Sequence, residues 1–167
     1  MTNEKDSPTV QYGVFTWGPC CVHIRISEEF HKKLLDEAFK SRVKEQDYRN
    51  RLAGILKEEY EYKDKGMFVQ EIAQILGVYD EAFQKWKSER YKNKPHYVLT
   101  SLWVNFMKKH EYNPPHDHAD QLSFVIFLDV PNEIKEEAKA FKGQSGGPGS
   151  LSFVYGEGNR QAITYQS

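Results

Sequence analysis

Cysteine is nearly absent. The 167 residues hold two, adjacent at Cys20-Cys21, so no disulfide framework staples the fold. Long apolar runs are missing as well. None approaches the roughly 20 residues of a bilayer-spanning helix, and Met1–Val10 is polar, without the apolar centre of a signal segment. Neither sign of charge dominates: 23 Lys+Arg stand against 24 Asp+Glu, for a net charge of −1. That balance argues against a partner made of nucleic acid or an acidic membrane. There is no internal repeat. The expectation is a single domain in a reducing cytoplasm.

What is present is aromatic and charged. Aromatic residues make up 14% of the chain and charged ones 28%, a balance that excludes general disorder and gives a soluble chain with a real core. Residues 1–9 read as a flexible tail and residues 10–167 as one domain, helical over 28–92 and β-rich over 97–167. Val10–Phe15 and Val22–Ile26 are short strand-like runs around Gly18-Pro19. Ser27 stands where an N-cap belongs, with Glu28 and Glu29 in the first turn. Phe30, Leu34, Leu35, Ala38 and Phe39 predict a helix from Glu28 to Lys44. Gln46–Lys65 is charged around one apolar island, Leu52–Leu56. Phe68, Ile72, Ile75, Tyr79, Phe83 and Trp86 predict a second helix, Met67 to Lys92, with Gly77 as a weak point.

After Pro95 the texture changes. Tyr97–Met107 and Leu122–Val130 read as covered strands, Asn132–Gly149 as a long flexible insertion, and Ser150–Tyr155 and Gln161–Tyr165 as final strands. Helices first and strands second give an α+β class with a mainly antiparallel sheet.

Chemistry concentrates in Asn113-Pro-Pro-His-Asp-His-Ala-Asp120. On an extended chain alternate side chains share a face. His116, His118 and Asp120 then point one way and Asp117 the other. Imidazoles spaced by one residue supply adjacent ligands to a divalent ion, and two His with one carboxylate and open positions is a non-haem Fe(II) arrangement. The plain alternative is a polar turn with two surface histidines. Cys20-Cys21 beside His23 reads as ordinary thiols, since no catalytic partner is placed. His31, His96 and His110 read as surface residues. The Gly143–Gly149 run lacks the Lys-Ser/Thr of a phosphate-binding loop.

Trp103-Val-Asn-Phe106, Asn113-Pro114, His116-Asp-His118 and Ser123-Phe-Val-Ile126 together resemble the iron(II)/2-oxoglutarate-dependent oxygenase superfamily. The likeness is to a group common in tailed phages and marine bacteria. Gly18-Pro19 and Leu52-Ala53-Gly54 also fit, so the likeness runs from Phe15 to Tyr155. The resemblance implies a double-stranded β-helix, a jelly-roll or cupin-like frame of about eight core strands, braced by N-terminal helices. It implies Fe(II), with 2-oxoglutarate as cosubstrate on a basic residue, and hydroxylation of a C–H bond with release of CO₂ and succinate. The substrate would be a protein side chain, prolyl first, or a small molecule or nucleotide. Two ligand choices stand open: His116 with His118, or His118 with Asp120. Asn105 and Asn113 would orient the cosubstrate or a histidine, or serve as structural amides.

The chain departs from the family downstream. No histidine follows His118, and Arg160 is the only later arginine. The distal His and the cosubstrate Arg are therefore not found, and no catalytic residue is assigned. Four or five strands from Tyr97 onward are too few for a closed barrel. The reading is of a partial barrel, the N-terminal part of a longer oxygenase, or one completed by a second copy through an exposed sheet edge. The competing reading is a non-catalytic binding or assembly module with an incomplete metal site.

Overall fold

The computed structural model describes residues 18–87, 92–93, 95–144, 146–156 and 161–166. The 1–9 tail, the Val10–Phe15 run and Arg160 lie outside the described residues.

Helix α1 spans Glu28–Ser41. Ser27 caps it: its Oγ accepts from the Phe30 N–H at 3.1 Å, satisfying one of the free donors at the helix start. Phe30, Leu34 and Ala38 form its buried stripe. The helix stops three residues before the expected Lys44. There Arg42 leaves the helical path with its side chain clamped on the Glu58 carboxylate, Nε to Oε1 at 2.7 Å and Nη2 to Oε2 at 2.8 Å. β-branched Val43 then turns back to the Ser41 carbonyl. Two 3₁₀ turns follow, Lys44–Gln46 and Arg49–Arg51.

Strand β1, Glu59–Glu61, lies inside the charged stretch where no strand is expected. It pairs antiparallel with β2, Trp103–Asn105, in the register Glu59↔Asn105, Tyr60↔Val104, Glu61↔Trp103. Phe106 N–H to the Glu58 carbonyl and Tyr62 N–H to the Leu102 carbonyl extend the ladder at both ends. Between these strands runs α2, Gly66–Lys87, opened by Asp64 Oδ1 accepting from the Gly66 N–H at 2.8 Å. Its start matches the expected Met67 to one residue; residues 88–91 lie outside the described set. Gly77 faces open space.

Phe30, Leu34, Ala38, Tyr62, Phe68 and Leu102 make the core. Phe68 joins its parts, with its ring 5.9 Å from that of Phe30 and stacked 5.2 Å from Phe124. Burial pushes the Tyr62 phenol up to about 12, and its hydroxyl donates to the Leu34 carbonyl at 3.3 Å.

Two expected strands form no ladder among the described residues. Val22–Ile26 alternates half-buried Val22, Ile24 and Ile26 with exposed His23 and Arg25. Leu122–Val130 turns Ile126 and Leu128 to the core. Alternation reports an extended, half-covered chain; a strand also needs a hydrogen-bonding neighbour. Tyr97–Met107 is likewise ladder-bonded, among the described residues, only over Leu102–Phe106. His31, expected at the surface, is half-buried, and its Nε2–H donates to the Leu128 carbonyl at 2.6 Å, tying this segment to α1.

The expected loop at Asn132–Gly149 needs correction. It opens as α3, Asn132–Ala140, entered through Pro131. Ile134 and Ala138, four apart, are its half-buried face. Sparse apolar spacing amid charge hid it. β3, Ser150–Tyr155, and β4, Gln161–Gln166, form an antiparallel hairpin, one residue longer than expected. The architecture is α+β, with two small two-stranded antiparallel sheets and no barrel among the described residues. No described helix is long and apolar enough to cross a membrane.

Candidate metal site

The turn carrying the two histidines leaves the β2 strand through Asn113-Pro114-Pro115. Proline fixes φ and denies a helix, so His116 is presented on a stiff lead. Its Nδ1 stands 2.8 Å from the Pro114 carbonyl. A carbonyl only accepts, so Nδ1 carries the proton and, in the neutral ring, Nε2 carries the lone pair. That Nε2 accepts a hydrogen bond from the Nε2–H of His118 at 3.0 Å, with the rings tilted at 43°. His118 in turn lies flat against Trp103 of β2, 6.1 Å between centroids and 12° between planes. Trp103 stacks on Tyr48, and the Arg51 guanidinium lies over the Tyr48 ring.

Two imidazole nitrogens each about 2.0–2.1 Å from one ion, at near right angles, stand about 3.0 Å apart. The pair therefore fits two neighbouring positions around a divalent ion. The backbone carbonyl on Nδ1 is the outer support that metal-binding histidines commonly carry. Both rings are exposed, which leaves the remaining positions open.

Asp120 is exposed. Among the described residues no three His, Cys, Asp or Glu side chains stand close enough to hold an ion together. The structure thus brings His116 and His118 together and does not bring Asp120 to them. Asn105 lies on β2 with its Oδ1 buried and without a hydrogen-bond partner among the described residues. Asn113 turns its Oδ1 toward Gly54.

One residue was not foreseen. Glu59 on β1 is 1% exposed, and neither carboxylate oxygen has a hydrogen-bond partner among the described residues. Burial pushes its pKa up, and Arg49 and His116 pull against that shift. Its neighbour Glu58 is held in the opposite direction by Lys108 and Arg42. Nothing in Lys57-Glu-Glu-Tyr-Glu61 separates these glutamates by sequence; the β1–β2 register does, placing Glu59 opposite Asn105.

Cys20, Cys21 and His23 line a separate open cleft with Trp86 and Ile163. Burial raises the Cys20 thiol pKa, the wrong direction for a nucleophile.

No protein-family model matches the chain, and neither a curated protein nor a solved structure does.

Proposed function

We propose that the chain binds a divalent metal through His116 and His118 and works as an iron(II)/2-oxoglutarate-dependent oxygenase, a hydroxylase, or as the N-terminal part of one. The observation that carries this is the 3.0 Å hydrogen bond between the two Nε2 atoms, in which His116 accepts because its Nδ1–H is held by Pro114; a divalent ion would replace the shared proton. Iron with 2-oxoglutarate would, when bound, let O₂ serve as the oxidant: one oxygen atom would enter the C–H bond as a hydroxyl and the other the succinate formed from 2-oxoglutarate with loss of CO₂. The chain's own residues do the positioning. The Pro114 carbonyl holds the His116 ring, and Trp103 holds the His118 ring. Exposure of the pair leaves room for a cosubstrate and for a protein side chain or small molecule. A partial double-stranded β-helix as the frame is supported by the antiparallel pairings and by the alternating burial of the extended segments. A cytoplasmic setting agrees with two free cysteines.

The second reading, a non-catalytic binding or assembly module, is favoured by a donor set that stops at two histidines and by the exposed Phe124, Val125 and Phe127. That apolar strip is where a second copy would pair.

Anaerobic Fe(II) titration with and without 2-oxoglutarate tests the first reading. The expected result is a visible charge-transfer band that needs both and disappears in the His116→Ala/His118→Ala double variant. A folded chain that gives no band, or a band the double variant keeps, would contradict it.

A further inference from the structure

We propose that residues 122–130 are the strand through which two copies of the chain pair, antiparallel and centred on Ile126, an inference that rests on the second reading above and gives it a register. The segment has the pattern of a strand and lacks a neighbour. Leu122, Ile126, Leu128 and Val130 are half-buried, and Phe124 on the same side stacks on the core residue Phe68. Ser123, Val125, Phe127 and Asp129 alternate with them and are exposed. Among the described residues the backbone of this segment makes only one hydrogen bond, from His31 Nε2–H to the Leu128 carbonyl. An open extended backbone is a template for another strand, and natural edges are usually blunted by Lys, Pro or a bulge. From Leu122 to Val130 there is no Lys, Arg, Pro or Gly, and the single charge, Asp129, stands near the end.

The free edge is identifiable. In an extended chain successive residues turn their N–H and C=O groups to opposite edges. The Leu128 carbonyl meets His31 of α1, so the even-numbered residues use that edge. Ser123, Val125, Phe127 and Asp129 present theirs on the other.

The side chains select a second copy as the occupant. A two-fold axis at Ile126 sets Leu122 opposite Val130, Ser123 opposite Asp129, Phe124 opposite Leu128 and Val125 opposite Phe127. Core-side residues then meet core-side residues, so both copies keep their cores on one side of the joined sheet. On the outer side Val125 and Phe127, 52% and 45% exposed, cover each other, and a β-branched residue opposite an aromatic is a favourable cross-strand pair. Asp129 accepts from the Ser123 hydroxyl and stands away from the other Asp129. An axis at Val125 would set Phe127 against Ser123, and one at Phe127 would set Asp129 against Val125. With the axis at Ile126 the odd-numbered pairs exchange their N–H···O bonds across the free edge. One strand pair is a small interface, so a monomer–dimer equilibrium in the micromolar range is expected.

Sedimentation velocity of the full chain across that range is the test. The parent should pass from monomer to dimer as its concentration rises. Ser123→Asp sets like charges opposite each other. It should weaken the dimer about tenfold, because each cross-strand pair occurs twice around a two-fold axis. Ser123→Asp/Asp129→Lys should restore it. Both positions are exposed, and circular dichroism checks that the fold is kept. Amide hydrogen exchange of the parent reads the register without any substitution: Ser123, Val125, Phe127 and Asp129 should slow with concentration, and Phe124 and Ile126 should not. A chain that stays monomeric overturns the proposal together with the second-copy reading. A dimer indifferent to Ser123→Asp, a weakened dimer that Asp129→Lys does not restore, or protection on the even-numbered amides overturns this pairing and leaves the second-copy reading standing.

Discussion

At Gly54 the chain passes so close to the Asn113 amide that a Cβ there would overlap Oδ1, and it would also lie 2.8 Å from Glu59 Oε1 and 2.9 Å from Leu56. Asn113 is exposed and can turn away, but Glu59 and Leu56 are buried, so the strain falls on them. Gly54→Ala is therefore expected to cost about 1–3 kcal/mol, the usual range for overpacking, read as a lower urea midpoint at unchanged slope. A parental midpoint would mean that the contact relaxes without strain. The histidine pair was legible at this scale because two residues two apart on an extended chain share a face. At Asp120 the rule meets its limit: the chain bends at Asp120-Gln121, and alternation ends where extension ends. Glu59 was not legible, since its burial comes from the pairing of β1 with a strand more than forty residues away.

Among the elements, the two long helices were readable from apolar spacing and capping. Both start within one residue of the expected position, because those signals are local. β1 was hidden in a run of glutamates, and its existence depends on β2. α3 was hidden by having only Ile134 and Ala138 to bury. Phe68 is the point where elements meet: α2 delivers it, 1% exposed, between Phe30 of α1 and Phe124 of the extended segment. Phe68→Ala should cost about 3–5 kcal/mol, as large cavities at aromatic core positions do, measured by chemical denaturation. A cost under about 1 kcal/mol, the ordinary size of an average substitution, would show that the helices and the extended segment do not share this core.

For the molecule as a whole, composition and element order were enough for the α+β class, and they were not enough for a barrel. The described strands pair in twos, while the segments 22–26 and 122–130 keep the burial pattern of strands without the ladder. Pattern is a property of one segment and closure is a property of many, so a single sequence carries the first more directly than the second. The functional account accordingly rests on one small piece of geometry, two imidazole nitrogens held at 3.0 Å by a proline carbonyl and a tryptophan face. Long-range proton–nitrogen correlation spectra of the histidine rings, recorded before and after one equivalent of Zn(II), test it most directly. The account predicts that His116 carries its proton on Nδ1 before metal, and that Zn(II) then shifts the Nε2 resonances of His116 and His118 together. A proton on His116 Nε2, or Zn(II) that moves neither resonance, would contradict it.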